Sequence, residues 1–260
     1  MRNTEQRYNA KRITLRALAA CALACFGLLA AAQEKGADDA SDPNRQSVAT
    51  GFFISDGGYV VTSNHVVEGF EYIYIVMQDR RVLRAQLVKA DVDNDLALLK
   101  VGAITPFLYL SHSQGVPPGM EVVTIGYPLV ALLGFRPKIT KGIVNSNAGL
   151  KDELSSFQFS AEIQKGNSGG PLIGPGGTVV GVVKAKLDAF RMSSINKDLP
   201  QNVNFAVKSS VLIKFLQGTP SIPFTRPLNA NVTINPIAIF AEQNSAVVPI
   251  VARNTELQKK

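Results

Sequence analysis

Cysteine is nearly absent: the two in this 260-residue chain, Cys21 and Cys25, both lie close to the N-terminus. Beyond residue 25, therefore, neither a disulfide framework nor a thiolate metal cluster can hold the chain together. Histidine is equally scarce, and His65 and His112 are too far apart in sequence to suggest a metal-ligand cluster. Charged residues make up only 18% against 46% apolar, which excludes coiled coils and disordered charged tails and requires a buried core. No apolar run reaches the ~20 residues of a membrane-spanning helix. The longest, ALAACALACFGLLAAA at residues 17–32, has 16. What the chain does have is 21 glycines and 14 prolines, a composition of many turns that favours β structure.

The net charge of +7 is concentrated at the start, where Arg2, Arg7, Lys11, Arg12 and Arg16 face only Glu5 before residue 33. The other basic residues are scattered, with no stripe interleaved with aromatics, so nucleic acid is not an expected partner. Basic start, apolar run and the polar QEKGADDASDPN that follows form the layout of a secretory signal, with Ala30 and Ala32 placing cleavage before Gln33. The expectation is an exported chain, periplasmic or secreted, or membrane-anchored if the signal is not cut. LAAC at residues 18–21 resembles a lipoprotein box, but Arg16 interrupts the apolar stretch before it.

From residue 47 the chain breaks into short β-branched and aromatic runs separated by turn signals, the pattern of an all-β sandwich or barrel. Strands are expected at 47–55, 59–63, 72–77, 82–90, 96–101, 121–127, 139–145, 157–163, 171–173, 178–187 and 203–208. One short helix is expected at 209–217, opened by a serine cap and burying Val211, Leu212, Phe215 and Leu216. The Gly/Pro cluster at 113–119 separates two β regions, 47–112 and 120–218, after a signal (1–32) and a linker (33–46). Residues 219–260 carry no motif; their apolar stretches at 232–240 and 246–252 suit either a hairpin on the core or the start of a further module.

Three segments carry chemistry. QKGNSGGPL (residues 164–172) sets Ser168 in a glycine-dense turn, where a nucleophilic oxygen can be exposed among unobstructed backbone N–H groups. YVVTSNHVV (59–67) places His65 just after a strand, and an imidazole titrating near neutrality is the natural base for a serine. DVDNDLALLKV (91–101) puts Asp95 where a turn enters an apolar strand, suited to orienting that imidazole, while Asp91, Asp93 and His112 read as surface residues.

TGFFISDGGYVVTSNHVV, DNDLALLKV and QKGNSGGPL, in that order, resemble the trypsin-like serine peptidases of the bacterial Deg/Htr type across roughly residues 47–218. The resemblance implies two six-stranded antiparallel β-barrels of the chymotrypsin type with a short C-terminal helix, and a site between them. It implies Ser168 as nucleophile, His65 as base, Asp95 as orienting acid, and an oxyanion hole at Gly166, Asn167 and Ser168. PQNVNFAVKSSVL is similar to the family's substrate-binding strand, so Asn204, Phe205 and Ala206 are expected to pair with substrate main chain. The resemblance puts Glu162, six residues before Ser168, at the floor of the specificity pocket, where a carboxylate would select Lys or Arg; the other reading, given more weight, is a side chain that points elsewhere or is solvated at the rim. Asn167 stands where zymogen-activated relatives have aspartate, and the residues after Gly218 are too few for a PDZ domain. The expected function is a cofactor-free serine endopeptidase acting on unfolded or flexible polypeptides. The rival readings are a non-catalytic or latent peptide-binding or chaperone module on the same fold, and a domain that docks to a partner through residues 219–260.

Overall fold

The computed structural model describes residues 42–113, 115–184, 202–220, 223–229 and 231–257. The proposed signal segment and most of its linker lie outside the described residues. The first half supplies β1 (Gln46–Phe53), β2 (Tyr59–Thr62), helix α1 (Asn64–Val67), β3 (Tyr72–Val76), β4 (Val82–Asp91), β5 (Leu96–Lys100) and the short β6 (Leu110–Ser111). The second supplies β7 (Glu121–Gly126), α2 (Val130–Leu133), β8 (Lys138–Ser146), β9 (Ser156–Phe159), β10 (Pro171–Ile173), β11 (Val179–Val183), β12 (Asn204–Lys208) and α3 (Ser209–Leu216). Then follow β13 (Thr225–Arg226), α4 (Pro236–Gln243) and β14 (Val247–Arg253).

Two six-stranded barrels result. The second is contiguous: β7, β8, β9, β12, β11 and β10 pair in a ring that closes between β10 and β11. The first is not completed within residues 47–112. Its ring runs β1-β14-β3-β4-β5-β2, with the chain's last strand inserted between β1 and β3. Thus the 246–252 stretch is a barrel strand, and the 232–240 stretch becomes a helix because Asn235 Oδ1 caps it, accepting from the N–H groups of Ile237 and Ala238, with Pro236 preset at its first position. Pro249 is tolerated in β14 because it faces Thr50 and lies one residue outside the β3 ladder, which begins at Ile250 and Ile75.

The near-continuous apolar runs of these strands follow from burial on both faces. Phe53, Val60, Leu99 and Val248 fill the interior of the first barrel. Their neighbours Phe52, Val61, Leu98 and Val247 turn the other way and join Val123, Ile125, Val182 and Val207 of the second barrel in one shared core. Leu212, Phe215 and Leu216 of α3 close this core. Truncating the fully buried Phe52 to alanine would cost about 3–5 kcal/mol. The expected serine cap of α3 is not formed: β12 runs directly into the helix, Lys208 takes the cap position, and the buried Ser209 hydroxyl has no hydrogen-bond partner.

Candidate active site

His65 and Asp95 are brought together by a turn that the local sequence builds. Asp91, ending β4, accepts from Asn94 twice, Oδ1 from the backbone N–H at 3.0 Å and Oδ2 from the side-chain amide at 2.7 Å. This Asx turn delivers Asp95 in a left-handed conformation (φ 55°), which Asp and Asn adopt more readily than most residues. The Asp95 carbonyl then accepts from Asn64 N–H at 3.2 Å, and its Oδ1 from His65 N–H at 2.9 Å. The N-terminal end of α1 is thereby set. Asn64, Val66 and Val67 are buried, leaving the His65 side chain 45% exposed on the other face.

His65 Nδ1 lies 3.0 Å from Asp95 Oδ1 and 2.8 Å from Oδ2. An ionised carboxylate only accepts, so the neutral imidazole carries its proton on Nδ1 and presents the Nε2 lone pair as a base. Burial pushes the Asp95 pKa up, but the hydrogen bonds and charge of His65 outweigh it and hold the carboxyl below the ordinary carboxylate range.

Ser168 is placed by contacts reaching across the two barrels. Thr50 N–H donates to the Ser168 carbonyl at 3.1 Å. The backbone of Gly169 packs so closely that an added Cβ would lie 2.5 Å from Thr50 O and 2.6 Å from Ser63 N, two residues before His65. With φ at +79°, only glycine fits there. Within the loop, Asn167 N–H is taken by the Gln164 carbonyl at 3.0 Å, and its side chain is buried against Gly126. Among the described residues the flanking N–H groups of Gly166 and Ser168 make no hydrogen bond, so both donors are uncommitted. Nor does His65 Nε2 or Ser168 Oγ make one among those residues.

Two expected substrate contacts are corrected. Among the described residues, Phe205 and Ala206 do not form a free edge, and Asn204 is paired on its β9 side. They pair with Phe159, Gln158 and Phe157 of β9 on one side; on the other, the Phe205 carbonyl accepts from Lys184 N–H and Ala206 pairs with Val183. A substrate strand cannot be added where both edges are occupied. Glu162 is exposed, with its carbonyl held by Thr140 Oγ1, while its neighbours Ala161 and Ile163 point inward; it is no pocket floor. His112 is exposed, away from His65 in β6 and β13 surroundings.

Thr50 and Tyr127 escaped the sequence reading. Thr50 Oγ1 donates to the Gly166 carbonyl at 2.6 Å and accepts from Tyr127 N–H at 3.0 Å, across 116 and 77 residues. No local signal marks such partners. The Asp91–Asn94 turn was legible as an Asx pair but reads equally as surface.

A family model described as a trypsin-like peptidase domain matches residues 49–182. An uncharacterized protein of Sinorhizobium fredii is 42% identical over 186 residues, 72% of this chain and 28% of that protein. A probable periplasmic serine endoprotease, DegP-like, of Hahella chejuensis is 42% identical over 141 residues, 53% of this chain and 29% of that protein. The chain thus spans less than a third of these curated relatives. Among solved structures, the serine endoprotease from Yersinia pestis superposes with a TM-score of 0.54 at 28% identity, covering 65% of this chain and 56% of that one. The HtrA-type protease AlgW with a decapeptide gives 0.56 at 28% identity, covering 65% and 50%.

Proposed function

The chain belongs to the trypsin-like peptidase family, and from that premise we propose that it is an exported serine endopeptidase working on unfolded or flexible polypeptide segments. The observation that carries the reading is the Asp95 carboxylate bound to both His65 Nδ1 and His65 N–H, beside a serine loop with two uncommitted N–H groups. Ser168 Oγ attacks the scissile carbonyl carbon as its proton passes to His65 Nε2. Negative charge develops on the carbonyl oxygen, facing the N–H groups of Gly166 and Ser168. The C–N bond then breaks, the imidazolium protonates the departing amine, and an acyl-enzyme remains. Water, deprotonated by Nε2, attacks the ester and the proton returns to Ser168. Asp95 stays ionised throughout and stabilises the imidazolium. No step calls for a cofactor.

The polypeptide substrate class is supported by a structural relative solved with a bound decapeptide. Export is supported by relatives named as periplasmic and by the basic, apolar, polar order of residues 1–44. Among the described residues no helix is long and apolar enough to cross a membrane. Among the described residues of 219–260, exposed side chains such as Val232 and Ile237 are open to a docking partner, whereas residues 247–253 lie within the barrel.

The test is covalent labelling of the full chain by a fluorophosphonate, read by intact mass, with Ser168→Ala as control. Labelling that the substitution abolishes is the expected result. A folded wild-type sample that does not label would overturn the reading in favour of a latent or non-catalytic module.

A further inference from the structure

The two buried groups behind the nucleophile loop, Thr50 and Tyr127, lead from that loop to the end of the chain. Tyr127, 2% exposed, has its ring in the core shared by the barrels, and its phenol donates to the Val247 carbonyl of β14 at 3.0 Å. Its N–H donates to Thr50 Oγ1, and its carbonyl oxygen lies where a Cβ on Gly166 would be, at 2.5 Å. Two residues on, Leu129 N–H donates to the Lys165 carbonyl at 2.8 Å. Thr50, fully buried, faces Pro249 of β14 in register and holds the loop at two carbonyls, Gly166 through its hydroxyl and Ser168 through its N–H.

We propose that Thr50 and Tyr127 are positioning residues that make the C-terminal strand part of the scaffold of the oxyanion loop. In this arrangement the insertion of β14 between β1 and β3 sets where Val247 and Thr50 stand, and through them where residues 165–168 stand. The carbonyls of Lys165, Gly166, Asn167 and Ser168 are all gripped, by Leu129 N–H, Thr50 Oγ1, Gly170 N–H and Thr50 N–H in turn; the N–H groups of Gly166 and Ser168 are left for the oxyanion. A carbonyl held in place fixes the orientation of the N–H on the far side of the same peptide plane, so Lys165 O, held by Leu129 N–H, aims Gly166 N–H, and Asn167 O, held by Gly170 N–H, aims Ser168 N–H, while Thr50 holds the peptide plane that follows each of them. The Thr50 hydroxyl has one proton, which goes to Gly166, while a lone pair meets Tyr127 N–H, so the residue is satisfied in both roles. The phenol is a dependable donor: burial pushes the Tyr127 pKa up to about 12, against a smaller opposing effect of Gln78.

This inference rests on Ser168 being the nucleophile. Its test uses the full chain and measures fluorophosphonate labelling rates, kcat and KM on an unfolded protein substrate, and melting temperature. Tyr127→Phe keeps the ring and removes one hydrogen bond; kcat and labelling rate should fall about tenfold with KM changed less than about twofold. Thr50→Val keeps the shape and orphans both partners, and should lower kcat about a hundredfold, with Thr50→Ser recovering most of that loss. Val122→Ala, inside the second barrel and away from these contacts, should lower the melting temperature without slowing the folded enzyme. A double-mutant cycle between Tyr127→Phe and Ile250→Ala, which loosens β14, should be non-additive in labelling rate. Wild type that labels while Tyr127→Phe and Thr50→Val label equally fast would overturn this inference alone. Additivity in the cycle would overturn the link to β14. Wild type that does not label would overturn the reading of Ser168 beneath it.

Discussion

The two halves of the proposed catalytic centre are built by different means. The base arm is local: Asp91, Asn94 and Asp95 share one turn, and Asp95 reaches His65 across 30 residues within one barrel. The nucleophile loop is assembled at long range, from Thr50 at a separation of 116 residues and from Tyr127, itself tied to Val247 120 residues away. Local construction places a side chain by turn chemistry that the adjoining residues carry with them. Long-range construction makes the site depend on completing both barrels, the first of which closes only with the last strand.

The largest break in this comparison is chemical. Ser168→Ala should remove labelling and lower kcat about a million-fold, with the fold intact by circular dichroism. On the base arm, Asp95→Asn should cost about 10⁴ in kcat at neutral pH, because the amide favours the wrong imidazole tautomer. Gly169→Ala strikes the long-range half by forcing a Cβ onto Thr50 O and Ser63 N at positive φ. It should destabilise by about 1–3 kcal/mol or more in urea unfolding and slow labelling, while leaving the His65–Asp95 pair in place by proton NMR. Asp91→Ala removes two hydrogen bonds at about 0.5–1.5 kcal/mol each, and Asp91→Asn, which keeps one acceptor, should lie between it and wild type in unfolding midpoint.

The smallest effect is a pH dependence. The Asp95 carboxyl is held below its unfolded pKa, so its contribution to stability is complete above the unfolded value and is lost as pH falls through the folded one. His65→Ala removes the imidazole, whose hydrogen bond and charge do most to depress it, and keeps only the backbone N–H of residue 65 and Ser63 against the effect of burial. Acid unfolding of that variant should begin at higher pH than in wild type, measured by the melting temperature across pH 2–6.

Most strands were legible because each β-branched run lies between turn residues, and β10 was read at its true bounds. The 246–252 stretch was visible as apolar, but nothing in it names β1 and β3 as its neighbours. The 232–240 stretch was ambiguous because the Asn235 cap and Pro236 lie inside the apolar run rather than before it. Glu162 and Asn204–Ala206 failed for a related reason. Which way a side chain faces, and whether a strand edge is free, depend on pairing partners that the segment itself does not contain.

By itself the sequence brought forward His65, Asp95 and Ser168 as candidates: they stand in motifs whose turn residues act over a few positions, and the alternation of strands and turns is equally local. The tertiary structure alone decided that the last strand completes the first barrel, that Thr50 and Tyr127 stand behind the oxyanion loop, and that Phe205 and Ala206 of β12 do not form a free edge. The physical reason is range. Turn chemistry and caps act between near neighbours, whereas a hydroxyl buried 116 residues from its acceptor finds it only when both barrels have packed into their shared core.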